Sequence, residues 1–192
     1  MTARSSMAVL ITRVRFMVGD PLIAGTPPTS TFTDDQIQDA LDHHRTDVIQ
    51  LRLIPRATLT TTGAQWKDYQ APCGFWEDDV VIVDPTFNAV TPATSDELTG
   101  HWTFAVSTLP NLYITGKAYD MYGAAAEILE AWSGIVRAEG DFDFSEDGQS
   151  FSRSQKGRGL DAQAAEYRRK ALPAGPRFAG IGSDPREFGV GP

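Results

Sequence analysis

Side chains able to do chemistry are sparse in this 192-residue chain, and their spacing argues against catalysis. The three histidines are His43, His44 and His101. A helical zinc motif needs two imidazoles four residues apart on one face, whereas adjacent helical residues project about 100° apart. His43 and His44 therefore read as ordinary helix-surface residues, and His101, beside Trp102, as a packing or surface residue. The acids Asp141, Asp143, Glu146 and Asp147 lie close enough together to suggest calcium binding or acid–base work. Phe142 and Phe144 interleave with them, however, and the segment lacks the glycine and glutamate placement of an EF-hand loop. A solvated or interface-forming turn is the simpler reading. The pairs Gly157 with Gly159 and Gly180 with Gly182 follow no predicted strand, so neither makes a phosphate or dinucleotide loop. No Ser/His/Asp or Cys/His arrangement is legible. The expectation is no enzyme, no metal and no cofactor.

Composition narrows the class further. The single cysteine, Cys73, supports neither a disulfide framework nor a thiolate cluster and points to a reducing compartment. The apolar run near the N-terminus breaks at Thr12 and Arg13, too early for a secretory core. No stretch approaches the ~20 apolar residues of a membrane-spanning helix, so a soluble protein without a membrane partner is expected. Apolar residues make up 41% of the chain, which supports a packed core. A net charge of −8 and a pI near 4.8 repel phosphate backbones, which counts against free DNA binding as the main task.

Helical periodicity positions most of the chain. Met7, Leu10, Ile11, Val14 and Met17 share one face of a helix over Ser6 to Val18, stopped by Gly19. After a Pro/Thr-rich loop, Thr33 and Gln36 form a capping box with Asp34 and Asp35 at the positive end of the dipole. Ile37, Ala40, Leu41, His44, Val48 and Leu51 continue that face and predict a helix reaching towards Pro55. A third helix is predicted from about Lys117 to Arg137 and a fourth from about Ser150 to Leu172. Gly157 and Gly159 lie inside the fourth, and each costs about 1 kcal/mol relative to alanine, enough to bend it.

Between these helices the pattern becomes β-prone. Thr58 to Thr62, Gln65 to Tyr69, Val80 to Val83, His101 to Val106 and Asn111 to Thr115 read as short strands, with a turn at Thr62 and Gly63. The predicted fold is mainly α: a helical bundle with an inserted small antiparallel β-module and an extended C-terminal tail. Its parts are residues 1–55, an N-terminal helical segment; 56–115, the β-module; 116–172, the helices that complete the bundle; and 173–192, the tail. The β-module has two basic residues against seven acidic ones, while the last helix has six basic against two acidic. The tail is rich in Gly and Pro but carries Phe178, Ile181, Phe188 and Val190, which suits docking onto a neighbouring chain.

The stretches Met7 to Asp20 and Phe32 to Asp42 resemble the opening of tailed-bacteriophage head–tail connector proteins (adaptor, or head-completion, proteins). Ala118 to Trp132 resembles a later helix of that family. So, most strongly, does Phe142 to Lys156 followed by Tyr167 to Ala171. The resemblance rests on order and spacing, and it covers the helices; Gly157 and Gly159 depart from it. It implies a structural virion protein at the head–tail junction, assembled in the host cytoplasm as a ring of twelve copies. The portal would lie above the ring, a stopper or tail-completion protein below, and double-stranded DNA would pass through the lumen.

Within that frame the partner-binding residues expected are Arg153, Lys156, Arg168 and Arg169 on the last helix, with Phe178, Ile181 and Phe188 on the tail. Opposite charges on the β-module and last helix would help set register and orientation, whether they meet within a subunit, between neighbouring copies or across to the portal. Three other functions fit parts of the chain. One is a stopper or tail-completion subunit. Another is a ligand- or carbohydrate-binding β-module using Trp66, Phe75, Trp76 and Trp102, although such aromatics more often form core. The last is a nucleic-acid binder using the basic helix.

Overall fold

Thr33 takes the extended conformation expected of an N-cap and accepts from the Gln36 amide, while the Gln36 side chain accepts from the Thr33 amide at 2.9 Å. That reciprocal box starts one of the helices in a computed structural model that describes residues 2–20, 30–61, 63–138, 143–146 and 149–171. A 3₁₀ turn, Ser5–Met7, leads into α1, Ala8–Val18, which Gly19 ends in the left-handed conformation, with φ 72°. Then follow α2, Asp34–His43; β1, Arg45–Arg52; β2, Ile54–Thr60; β3, Gly63–Gln70; β4, Val81–Val83; β5, Thr94–Asp96; β6, His101–Thr103; and β7, Tyr113–Tyr119. The chain continues through α3, Met121–Ala138; β8, Asp143–Glu146; β9, Gln149–Ser152; and α4, Arg153–Lys170.

Among the described residues the fold is mixed α/β, with four helices (40%) and two antiparallel sheets of three and four strands (28%). This corrects the expectation of a mainly α bundle with a small β insert. The main cause lies at Arg45–Arg52, read from its apolar spacing as the continuation of α2. That segment is rich in β-branched residues, and it pairs beside β7 in a sheet of order β1-β7-β4. Long-range pairing supplied ladder bonds that a longer exposed helix would not have matched. Likewise Lys117 lies within β7 rather than opening a helix. α3 begins only after Asp120, whose Oδ1 accepts from the Tyr122 and Gly123 amides at 3.1 Å each, an N-cap arrangement. The two glycines of α4 do not interrupt it: α4 is continuous from Arg153 to Lys170.

The chain forms two compact units. The helical unit takes Met1–Arg45 and Tyr119–Ala174. Leu10, Val14, Ile37, Leu41 and Leu129 are among its buried side chains. Ala124, Ala125 and Ala126 are fully buried and keep the first half of α3 slim. On the α3–α4 contact the buried Ser133 hydroxyl donates to the Gly157 carbonyl at 3.3 Å. Arg15 is another buried polar group. Its guanidinium, 4% exposed, reaches Asp34 at 2.7 Å, Asp20 at 3.3 Å and the Phe32 carbonyl at 2.8 Å. Asp20 in turn accepts from the Thr31 and Phe32 amides. These bonds join the end of α1 to the start of α2.

The second unit, Thr46–Ala118, holds the four-stranded sheet, order β2-β3-β6-β5, and the strand pairs of β1, β7 and β4. Trp76 and Trp102 are fully buried at its centre, with ring centroids 5.9 Å apart and edge to face. Trp76 Nε1 donates to the Cys73 carbonyl at 2.8 Å, while Trp102 Nε1 is buried without a partner among the described residues. Tyr69 completes the cluster and donates its hydroxyl to the Leu109 carbonyl at 2.6 Å. The buried Glu77 carboxylate accepts from Lys117 Nζ at 3.2 Å, so its charge is compensated. β8 and β9 pair as a separate two-stranded hairpin, with Phe144 opposite Phe151; this segment was expected to be an acidic connector.

Candidate partner interface

α4 is basic because Arg and Lys occupy both its faces, and the structure separates cations that the sequence groups together. Arg168 grips Glu130 of α3 with two bonds, Nη2 to Oε2 at 2.8 Å and Nε to Oε1 at 3.1 Å. The fork geometry suits a guanidinium–carboxylate pair, and the Arg168 bond holds the Glu130 carboxyl below its usual range. Both side chains are nearly half exposed, so the pair orients α4 more than it stabilises it. Lys156 sits 5.1 Å over the Trp132 ring, a cation–π contact with α3. Arg137 pairs with Asp161, and Lys170 pairs with Glu166 one turn back.

Arg169 is exposed and its Nε donates to the Ala165 carbonyl on its own helix. Arg158, not among the residues singled out from sequence, is exposed and has no ion pair among the described residues. The two lie eleven residues apart, three helical turns, so they share one outward stripe with Ala162 and Ala165, about 16 Å from end to end. That i, i+11 spacing was the available signal for Arg158. The side chain of Arg153, and Phe178, Ile181 and Phe188, lie outside the described residues. Thus Lys156 and Arg168 contact α3, and among the described cations of α4 Arg158 and Arg169 have no side-chain partner.

A second outward surface lies on α1. Val9 and Phe16 are 51% and 74% exposed, and with Arg13 they occupy positions i, i+7 and i+4 of one face. Both lie off the stripe of Met7, Leu10, Ile11, Val14 and Met17, and that position was the available signal for them.

The histidines behave differently from the expectation of independent surface residues. α2 ends at His43, and His44 is its C-cap with φ −107° and ψ 23°. The two rings are therefore free to converge on one carboxylate: His43 Nδ1 lies 2.9 Å from Glu127 Oε1 and His44 Nε2 lies 3.1 Å from Glu127 Oε2. Gly123 makes room for this, since a Cβ there would meet His44 Nδ1 at 2.6 Å. The hydrogen bond and charge of Glu127 raise the His43 pKa above 6.5. A raised folded pKa means that the pairing contributes fully below pH 6.5 and is lost as pH rises through the folded value. In an NMR titration the His43 midpoint is expected above 6.5, falling back towards it in Glu127→Gln. An unshifted wild-type midpoint would refute the pairing.

Among the described residues no group of three or more His, Cys, Asp or Glu side chains is placed to hold a metal ion. Asp143 and Glu146 lie on β8, but their side chains, and Asp141 and Asp147, are outside the described set. His101 lies 3.9 Å from Asp68, at the limit of an ion pair. No known protein family, curated protein or solved structure matches the chain. Of the four aromatics considered for ligand stacking, Trp76 and Trp102 are fully buried and so offer no face to a ligand. Trp66 and Phe75 are half-buried. No helix among the described residues is long and apolar enough to cross a membrane.

Proposed function

We propose that this chain is a structural virion subunit of a tailed bacteriophage, a head–tail adaptor that closes into a ring under the portal. Twelve copies are expected, with double-stranded DNA passing through the lumen without sequence-specific contact. The observation that carries the reading is the distribution of exposed apolar side chains. Phe16 is 74% exposed on the helical unit, while Ile49, Leu59 and Val106 are 73%, 84% and 71% exposed on the β unit. Scattered single apolar residues are ordinary on a protein surface, but so many large ones so fully exposed suit a subunit with neighbours on several sides.

The resemblance of the helical segments to connector proteins supplies the particular assembly. The charge balance agrees, because an acidic chain lets phosphates slide past without trapping them. A nucleic-acid-binding reading loses force once Arg168, Lys156, Lys170 and Arg137 are engaged within the fold. Outward Arg158 and Arg169 then suit protein docking, with portal or stopper as partner.

The test is electron microscopy of a lysate of the parent phage carrying a nonsense codon in this gene. The expected result is free tails beside heads that fail to retain DNA. Normal infectious virions would overturn the proposal.

A further inference from the structure

The hairpin of β2 and β3 is poorly covered for a soluble protein. Every β2 residue except Pro55 is exposed, on both faces of the strand. β2 is also the edge of its sheet, and no strand pairs with its outer side among the described residues. Natural edges are guarded by charge or proline. Here Pro55 and Arg56 guard only the base, and from Ala57 to Thr62 the sequence has no charge and no proline. That stretch is β-prone and carries Leu59 at 84% exposure. A two-stranded ribbon of this kind is marginal alone in water.

The opposite edge of the same sheet is β5, Thr94–Asp96, exposed at all three residues. Just past it the Trp76 and Phe75 amides donate to the Glu97 and Leu98 carbonyls, so the open edge is short and defined. The two edges are complementary in charge. The hairpin bears Arg56 and Lys67, neither in an ion pair among the described residues, against one carboxylate, Asp68, which neighbours His101. The β5 edge bears Asp96 and Glu97 and no cation.

Strand direction agrees as well. All three pairings in the sheet are antiparallel, so with four strands β2 and β5 run in opposite directions. A second copy set edge to edge in the same orientation would then bring its β2 antiparallel to β5, the more stable form of pairing. Unlike edges joined head to tail give a heterologous contact, the kind that closes into rings.

Resting on the ring reading above, we infer that a second copy of this chain occupies the outer edge of β5, its β2 strand extending the sheet from subunit to subunit. The experiment is cross-linking of the full chain carrying Thr58→Cys and Ser95→Cys in a Cys73→Ala background, treated with a short bismaleimide at millimolar concentration. A ladder of covalent oligomers is expected from the double variant and not from either single one. Arg56→Glu should reduce the ladder at least tenfold, and adding Asp96→Arg should restore it.

Rings visible by electron microscopy without a ladder would overturn the strand pairing and leave the ring reading standing. Dimers from Thr58→Cys alone would also overturn it, by placing β2 against β2. A ladder that persists unchanged in Arg56→Glu would remove the charge match on which the choice of occupant rests. A chain that stays monomeric with no ladder would overturn it too, and the nonsense-mutant lysate would then judge the ring reading separately.

Discussion

Arg15→Ala is expected to destabilise the helical unit by about 3–5 kcal/mol, the usual result of removing one partner from a buried ion pair. Arg15 is 4% exposed and reaches Asp20, Asp34 and the Phe32 carbonyl at once. Without it the buried Asp20 carboxylate loses its guanidinium partner and, among the described residues, is left accepting from the Thr31 and Phe32 amides. The geometry adds a second cost. Arg15 ties the end of α1 to the start of α2 across residues 21–29, so its loss releases both ends of that segment. Urea denaturation followed by far-ultraviolet circular dichroism measures the change. A loss under about 1 kcal/mol would mean that Asp20 is satisfied by other means and that Arg15 is not the pin described.

Gly100→Ala is expected to cost about 2–5 kcal/mol in the β unit, from two terms of different origin. Gly100 has φ 72°, a conformation that costs an L-residue about 1–2 kcal/mol. It is also buried, and a Cβ there would collide with the Cys73 carbonyl oxygen and crowd Trp76 Nε1 at 3.2 Å and Ala71 at 3.3 Å, an overpacking worth about 1–3 kcal/mol. Gly19 is the internal control. It has the same φ of 72°, but nothing lies within 4 Å of its Cβ position. Gly19→Ala should therefore cost only the conformational part, about 1–2 kcal/mol. Tryptophan fluorescence, which Trp66, Trp76 and Trp102 weight towards the β unit, reads the first variant; circular dichroism reads the second. Equal losses would show that the carbonyl of Cys73 moves aside freely.

How far the fold was legible depended on whether the deciding interaction was local. The Thr33 capping box and the Gly19 stop are made by neighbours in sequence, and both appear where the residues place them. β2 and β3 likewise pair as a hairpin about the turn expected there, with Gly63 opening β3 opposite Thr60, while Thr62 lies outside the described residues. The second helix was drawn too long because Val48 and Leu51 fall at helical spacing from Leu41. What overrides them is pairing beside β7, some 65 residues away, as in the Gln50 amide bond to Thr115 Oγ1. β5 was missed because a three-residue strand beside Pro92 carries no period of its own. β8 and β9 were missed although Asp147 and Gly148 form a dipeptide favoured in hairpin turns.

The candidate interface was harder to see, for a related reason. Charge can be counted along α4, but which cations face outward depends on Glu130 and Trp132 of α3. Only packing assigns Arg168 and Lys156 to them and leaves Arg158 and Arg169 without a side-chain partner among the described residues. The convergence of His43 and His44 on Glu127 is of the same kind, since it required α2 to end one residue before His44.

One hydrogen bond in the helical unit has a consequence for how such a chain changes over time. The Asp120 amide donates to the His44 carbonyl at 3.0 Å, so the excursion of residues 45–119 leaves and rejoins the helices at a single doorway. To the helices this whole stretch is a hairpin loop that is already closed. Lengthening a closed loop is cheap, about 0.6 kcal/mol for each doubling. Whatever is spliced between His44 and Asp120 therefore weighs little on its host. The helices can stay fixed while the spliced cassette is exchanged, trimmed or enlarged.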